Sequence, residues 1–266
     1  MTRIEQRFAE LKRTGKKGFI AYITAGDPSL ADTVNMVLEL EAVGVDIVEL
    51  GIPFSDPLAD GRVNQQSAMR ALAAGATPYG VLDAVAAIRK RSQIPIMCYT
   101  YTNPIHALGA AKFLRDAAKA GVDGLLMLDL PIEEAGDFNG LMAKNGLNSI
   151  CLVTPTTPEE RIKRIVKAAN GFVYCVSREG VTGMQHKLSG GAGDLLKRTK
   201  KHTKLPVALG FGISTPEQAR AAAADGDAIV VGSAIVDCFD KESHDAAGQR
   251  RAAAWVKTLV DAVKGT

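Results

Sequence analysis

The sequence predicts an α/β fold, specifically a (β/α)8 barrel of the TIM type. Eight short apolar runs rich in Val, Ile and Leu alternate with longer stretches of helical spacing. The chain has 266 residues, close to the roughly 250 that one such barrel requires. A junction of helix end, Gly, Val or Asp, and strand recurs as AVGVDIVEL, AKAGVDGLLML and AAADGDAIVV. The runs read as continuous apolar segments, as parallel strands covered on both faces do. A doubly wound open sheet is the rival, but no G-x-G-x-x-G follows the first run. One domain over residues 1–266 is expected, with an extra helix at the N-terminus.

The elements follow in order. Ahead of the first run, Ile4, Phe8 and Leu11 fall on one helical face. This helix is either a cover for the bottom of the barrel or an ordinary core-packing helix. The expected strands are residues 18–24, 46–51, 94–100, 124–130, 149–154, 171–177, 205–210 and 228–232. Helical patterns stand at 30–43, 110–120 and 216–224, closed by Gly44, Gly121 and Gly226. Each of these glycines is expected to take the left-handed conformation past a helix end, where a Cβ is penalised. Trp255, Val256, Leu259 and Val263 mark the core face of a last helix.

Composition narrows the function. With 32 basic and 29 acidic residues the net charge is +3, too small to attract nucleic acid. The basic run 197–204 has no interleaved aromatic residues and reads as a solvated helix end. Cys98, Cys151, Cys175 and Cys238 form no C-x-x-C pair and read as free thiols. His106, His186, His202 and His244 lack metal-ligand spacing, so no metal is expected. No apolar window suits a signal peptide or a membrane span, and a soluble cytoplasmic protein is expected.

Barrel enzymes place their chemistry on the loops after the strands. Alternation along DIVEL sends Val48 and Leu50 toward the helices and Glu49 into the barrel. A carboxyl group there is either paired structurally or used as an acid and base. The following loop, GIPFSDPLADGRVNQ, offers Asp56 and Asp60 as a second acidic group, though Asp also opens turns. Residues 177–191 are long, polar and Gly-studded, which fits a mobile lid. Gly212, Gly232 and Ser233 stand in the loops after the last two strands, where backbone N–H groups often hold a phosphate.

The motifs VELGIPFSDPLADG, YTYTNPI, LDLPIEEA, VTPTTPEERI, CVSREGVTG, LGFGIS and VGSAIV resemble those of the tryptophan synthase alpha subunit family, in order and spacing. The resemblance runs from about residue 4 to residue 263. It implies a (β/α)8 barrel that cleaves indole-3-glycerol phosphate to indole and glyceraldehyde 3-phosphate in tryptophan biosynthesis. It also implies a beta subunit bound as an αββα heterotetramer, with pyridoxal phosphate only in that partner. The alpha subunit needs no cofactor. The family's catalytic pair matches Glu49 and Asp60. Its substrate contacts match Tyr22, Tyr101, Tyr174, Thr182 and Phe211, and its phosphate site matches Gly183, Gly212, Gly232 and Ser233.

Three positions depart from the family pattern. Arg62 replaces a Pro in the Asp60 loop, and Leu128 stands where a smaller residue or Pro is usual. Tyr99 stands where an aliphatic residue is common, and both it and Leu128 are expected to reshape the indole pocket. The competing functions are a lyase active without partner and a regulatory subunit with little activity. Another phosphate-binding barrel enzyme, such as an indole-glycerol-phosphate synthase, would want a Lys at an early strand end, and none is present.

Overall fold

The apolar runs become the staves of a closed barrel. The computed structural model describes residues 1–176, 191–210 and 212–265. Its strands are β1 (Gly18–Thr24), β2 (Ile47–Gly51), β3 (Ile96–Thr100), β4 (Gly124–Met127), β5 (Asn148–Val153), β6 (Val173–Val176), β7 (Val207–Gly210) and β8 (Ala228–Val231). All neighbours pair in parallel, in chain order, and β8 closes on β1. The helices are α1 (Arg3–Thr14), α2 (Leu30–Ala42), α3 (Arg62–Ala73), α4 (Pro78–Arg89), α5 (Thr102–Ala107), α6 (Ala110–Ala120), α7 (Gly136–Lys144), α8 (Glu159–Ala168), α9 (Gly191–Lys200), α10 (Pro216–Asp225), α11 (Ser233–Lys241) and α12 (Ala246–Lys264). No single helix among the described residues is long and apolar enough to cross a membrane.

Alternation along the strands sorts the apolar residues into two layers. Val48, Leu50, Cys98, Leu125 and Val207 belong to the layer between sheet and helices. Ile20, Ile47, Met97, Leu126, Ile150 and Phe172 fill the interior instead. Ile4, Phe8 and Leu11 of α1 join that interior group, so α1 forms the floor of the barrel. The rings of Phe8 and Phe172 meet there at 5.5 Å. Thr2 and Glu5 form a reciprocal capping box that starts α1, and Gly15 ends it at φ 67°.

The recurring junction has a structural purpose. A strand's first N–H at the base of a parallel pair needs an acceptor. Asp46 supplies one to Phe19, Asp123 to Ile96 and Asp227 to Val207, at 2.7, 2.9 and 2.9 Å. Each Asp also returns its own N–H to the carbonyl of the same residue. Asn170 does both for Ser149 ahead of β6, a fourth instance that the sequence motif did not single out. Every even strand is thereby stitched at its base to the odd strand before it. Arg7 and Lys264 neutralise Asp46, Arg3 and Arg89 neutralise Asp123, and Lys200 pairs with Asp227.

Two expectations are corrected. The apolar runs 94–100 and 205–210 overreach, because Pro95 and Pro206 have no N–H for the ladder and the strands begin after them. Gly44 and Gly121 have the expected positive φ, but Gly226 is extended at φ −84°. A Cβ on Gly226 would lie 2.9 Å from the Ala228 carbonyl oxygen, so close backbone approach is what requires glycine there. The four cysteines are free thiols. Trp255 packs against the core beside buried Val256, Leu259 and Val263.

Removing one floor ring tests the role of α1. Phe8→Ala is expected to cost about 3–5 kcal/mol, the usual price of emptying a buried aromatic site. Urea denaturation measures it, and a loss under about 1 kcal/mol would show that α1 is not part of the core.

Candidate active site

Strand β2 carries Glu49 into the barrel, one residue above Val48 and one below Leu50, both of which face the helices. Glu49 is 2% exposed, and among the described residues its Oε1 has no hydrogen-bond partner. Burial disfavours its charged form and the charge of Asp60 adds to the effect, raising its pKa from the ordinary 4.5 to about 8. The carboxyl group is therefore neutral at pH 7.

The loop after β2 decides between the two aspartates. Asp56 is exposed; its carboxylate accepts from Ser55 Oγ at 2.6 Å and its carbonyl from the Leu58 N–H at 2.9 Å, as a turn residue does. Asp60 is buried, and its two oxygens are held separately. Tyr99 Oη donates to Oδ1 at 2.8 Å and Tyr101 Oη donates to Oδ2 at 2.7 Å. Tyr101 Oη also accepts from the Ala59 N–H at 3.1 Å, and the Phe54 ring leans on Tyr101 at 5.3 Å. Gln65 Nε2 donates to the Asp60 carbonyl at 2.9 Å, which ties the loop to α3. Arg62 is the exposed first residue of α3, beyond Gly61, which caps the helix without a side chain.

Above Glu49 the interior is lined by tyrosines. Tyr22 on β1 pairs in register with Glu49, and its ring meets the Tyr99 ring edge-on at 5.0 Å. Tyr174 on β6 joins the same interior group. Two glycines make room for these rings. A Cβ on Gly51 would lie 2.4 Å from Tyr22 Oη, and one on Gly210 would lie 2.6 Å from Tyr174 Oη. Each glycine stands two residues beyond its tyrosine's partner on the next strand, a packing device used twice. Burial raises the pKa of Tyr22, Tyr99 and Tyr174, and so do the charge of Asp60 and, at pH above about 8 where it ionises, that of Glu49. The phenols therefore remain protonated donors.

The remaining positions are placed as follows. Gly212 and Gly232 lie two residues beyond the paired Gly210 and Val230, in adjacent loops. Gly232 caps α11 and exposed Ser233 is its first residue. Leu128 packs against the interior group and lines a cavity of about 430 Å³ between β4, β5, α7 and α8. Thr182, Gly183, Phe211 and the expected lid up to residue 190 lie outside the described residues. No group of three or more His, Cys, Asp or Glu among the described residues is placed to hold a metal ion. Sequence reasoning missed the bond from Tyr99 to Asp60. The available signal was that Tyr99 shares its strand face with Met97, which points inward.

A profile of the tryptophan synthase alpha chain family matches residues 8–264. The chain belongs to the tryptophan synthase alpha chain family. The alpha chain of Geobacter sulfurreducens is 46% identical over 263 residues, covering 99% of both chains. That of Caldanaerobacter subterraneus subsp. tengcongensis is 48% identical over 241 residues, covering 91% of this chain and 92% of its own. The crystal structure of the alpha subunit from Legionella pneumophila superposes with a TM-score of 0.90 at 36% identity, covering 99% of this chain and 98% of its own. A structure of Mycobacterium tuberculosis tryptophan synthase gives 0.91 at 32% identity, covering 99% and 98%. As a tryptophan synthase alpha chain, the protein is an indole-3-glycerol-phosphate lyase that releases indole in tryptophan biosynthesis. Alpha chains of this family work without a cofactor; pyridoxal phosphate belongs to the beta subunit.

The burial of Glu49 has a pH signature. Below about 4.5 the carboxyl is neutral in both folded and unfolded chains, and its stabilising contribution is complete. As pH rises from about 4.5 to about 8 only the unfolded chain releases the proton, so stability falls. Glu49→Gln removes this loss. Its stability relative to wild type is expected to grow across that window by up to about 1.4 kcal/mol per pH unit. Denaturation at several pH values checks this; a pH-independent difference would contradict the raised pKa.

Proposed function

We propose that Glu49 and Asp60 divide the cleavage of indole-3-glycerol phosphate between them. The observation that carries this reading is a buried, neutral carboxyl group with one oxygen that has no partner among the described residues, near a second carboxylate held by two phenols. Glu49 gives its proton to indole C3. The ring then carries positive charge, and Asp60 accepts a hydrogen bond from the ring N–H and stabilises that charge. The bond from C3 to the glycerol chain breaks and its electron pair restores the indole ring. The hydroxyl on the departing carbon becomes the aldehyde of glyceraldehyde 3-phosphate, and its proton returns to the Glu49 carboxylate. One residue thus serves as acid and then as base, and a resting pKa near 8 leaves it protonated for the first step.

In this reading Tyr22, Tyr101, Tyr174 and Phe211 flank the flat indole, and an aromatic wall suits an apolar ring. The phosphate is received by the backbone at Gly183, Gly212, Gly232 and Ser233, the last two at the N-terminus of α11. Thr182 orients Asp60. The family resemblance alone supports the assignments of Thr182, Gly183 and Phe211. Glu49→Gln is expected to lower indole release by at least about 100-fold, the scale of a lost general acid. Wild-type turnover is expected to fall as pH rises through about 8, since deprotonated Glu49 cannot start the reaction. Unchanged turnover in Glu49→Gln would sink the assignment.

The chain also works as the alpha part of an αββα heterotetramer with a tryptophan synthase beta subunit. In support, Leu58 is 90% and Met69 67% exposed, on the Asp60 loop and on the helix that follows it. A partner covering them would act on the loop that holds Asp60. Indole release is expected to rise at least about tenfold when a beta subunit is added to the isolated chain. Equal turnover with and without it would favour a stand-alone lyase.

A further inference from the structure

We propose that Tyr99 is a positioning residue for the cleavage, fixing the Asp60 carboxylate through its partly buried hydroxyl before the indole ring arrives. The inference rests on the reading of Asp60 given above. Tyr99 Oη donates to Oδ1 at 2.8 Å while Tyr101 Oη donates to Oδ2 at 2.7 Å. With a phenol on each oxygen, and Asn64 Nδ2 adding a long 3.5 Å contact to Oδ1, the carboxylate is held against rotation, and Oδ2 keeps a further lone pair for the ring N–H.

The two phenols are not equivalent. Tyr101 lies past the end of β3 as the N-cap of the short α5, and Asp60 sits on a loop. Tyr99 lies within β3, in register with Gly51 on one side and Leu126 on the other. The Ile52 N–H donates to its carbonyl at 2.9 Å, and the Tyr22 ring packs edge-on against its own. Tyr99 is therefore the group that refers the loop carboxylate to the rigid barrel wall. An aliphatic residue in place of Tyr99 would have no donor to do so. Its phenol is held neutral by burial and by nearby Asp60, so it keeps the proton that it donates.

The test compares Tyr99→Phe, Asp60→Asn and the double variant in the full chain with its beta subunit, by steady-state and single-turnover indole release. Tyr99→Phe keeps the ring and removes only the hydroxyl. It is expected to lower kcat about tenfold with KM changed less than twofold, because misplacement of Asp60 is felt when charge develops on the ring. In the Asp60→Asn background the same change is expected to have no further effect on the single-turnover rate. A Tyr99→Phe enzyme with kcat within twofold of wild type, beside a strongly impaired but measurable Asp60→Asn, overturns this inference alone. So does an equal loss in both backgrounds, which would mark Tyr99 as packing. Undiminished turnover in Asp60→Asn would overturn the reading of Asp60, and this inference with it.

Discussion

A carboxyl group kept dry inside a closed apolar barrel is the constraint on which the site depends. A charged carboxylate in such a place is expensive, and protonation relieves the cost. The dryness is built from both sides. Below Glu49 the interior is filled by Ile20, Ile47, Met97 and the α1 floor. Around it stand the rings of Tyr22, Tyr99 and Tyr174, which bring bulk without charge. Gly51 and Gly210 are glycines because those rings occupy the space where a Cβ would stand. The glycine content thus reflects aromatic packing as well as turns.

The two ends of the barrel treat carboxylates in opposite ways. At the base, Asp46 receives the Phe19 N–H, Arg7 and Lys264, while Asp123 receives the Ile96 N–H, Arg3 and Arg89. These groups are buried but satisfied, and they fix strand pairs. At the other end one Glu49 oxygen, Oε1, is left without a partner among the described residues. A satisfied carboxylate cannot easily take or release a proton, and an unsatisfied one contributes little to holding strands together. The division between a stability face and a chemical face follows from where partners are supplied.

Period-two alternation was enough to read the direction of Glu49 from DIVEL, because a strand has only two faces. Local sequence read Asp56 before Pro57 as a turn but left Asp60 open, and only the family resemblance singled it out, since what distinguishes it is what reaches it from β3 and the residue beyond. Tyr99 was readable as a bulky departure but not as a donor to Asp60, because that contact joins residues 39 positions apart. Gly226 failed for a related reason. Local sequence made it look like a helix cap, while the neighbouring strand's backbone set its conformation. The three Asp junctions were visible as a repeat, but their shared function appears only once the barrel pairs each with the preceding strand.

Phenols are a consequential choice of partner for Asp60. An arginine or lysine would hold the carboxylate as firmly, but it would cancel its charge. That charge has two uses in this site. It raises the pKa of Glu49, adding to the effect of burial, and so helps keep Glu49 in its proton-donating form. In the proposed mechanism it also attracts the positive charge that appears on the indole ring. Tyr99 and Tyr101 restrain the carboxylate through neutral donors, whose pKa is raised by burial and by Asp60 itself, so the restraint does not ionise away. Orientation without neutralisation is thus what links the two carboxyl groups. The geometry of Asp60 is fixed by the tyrosines, and its uncancelled charge helps to set the protonation of Glu49.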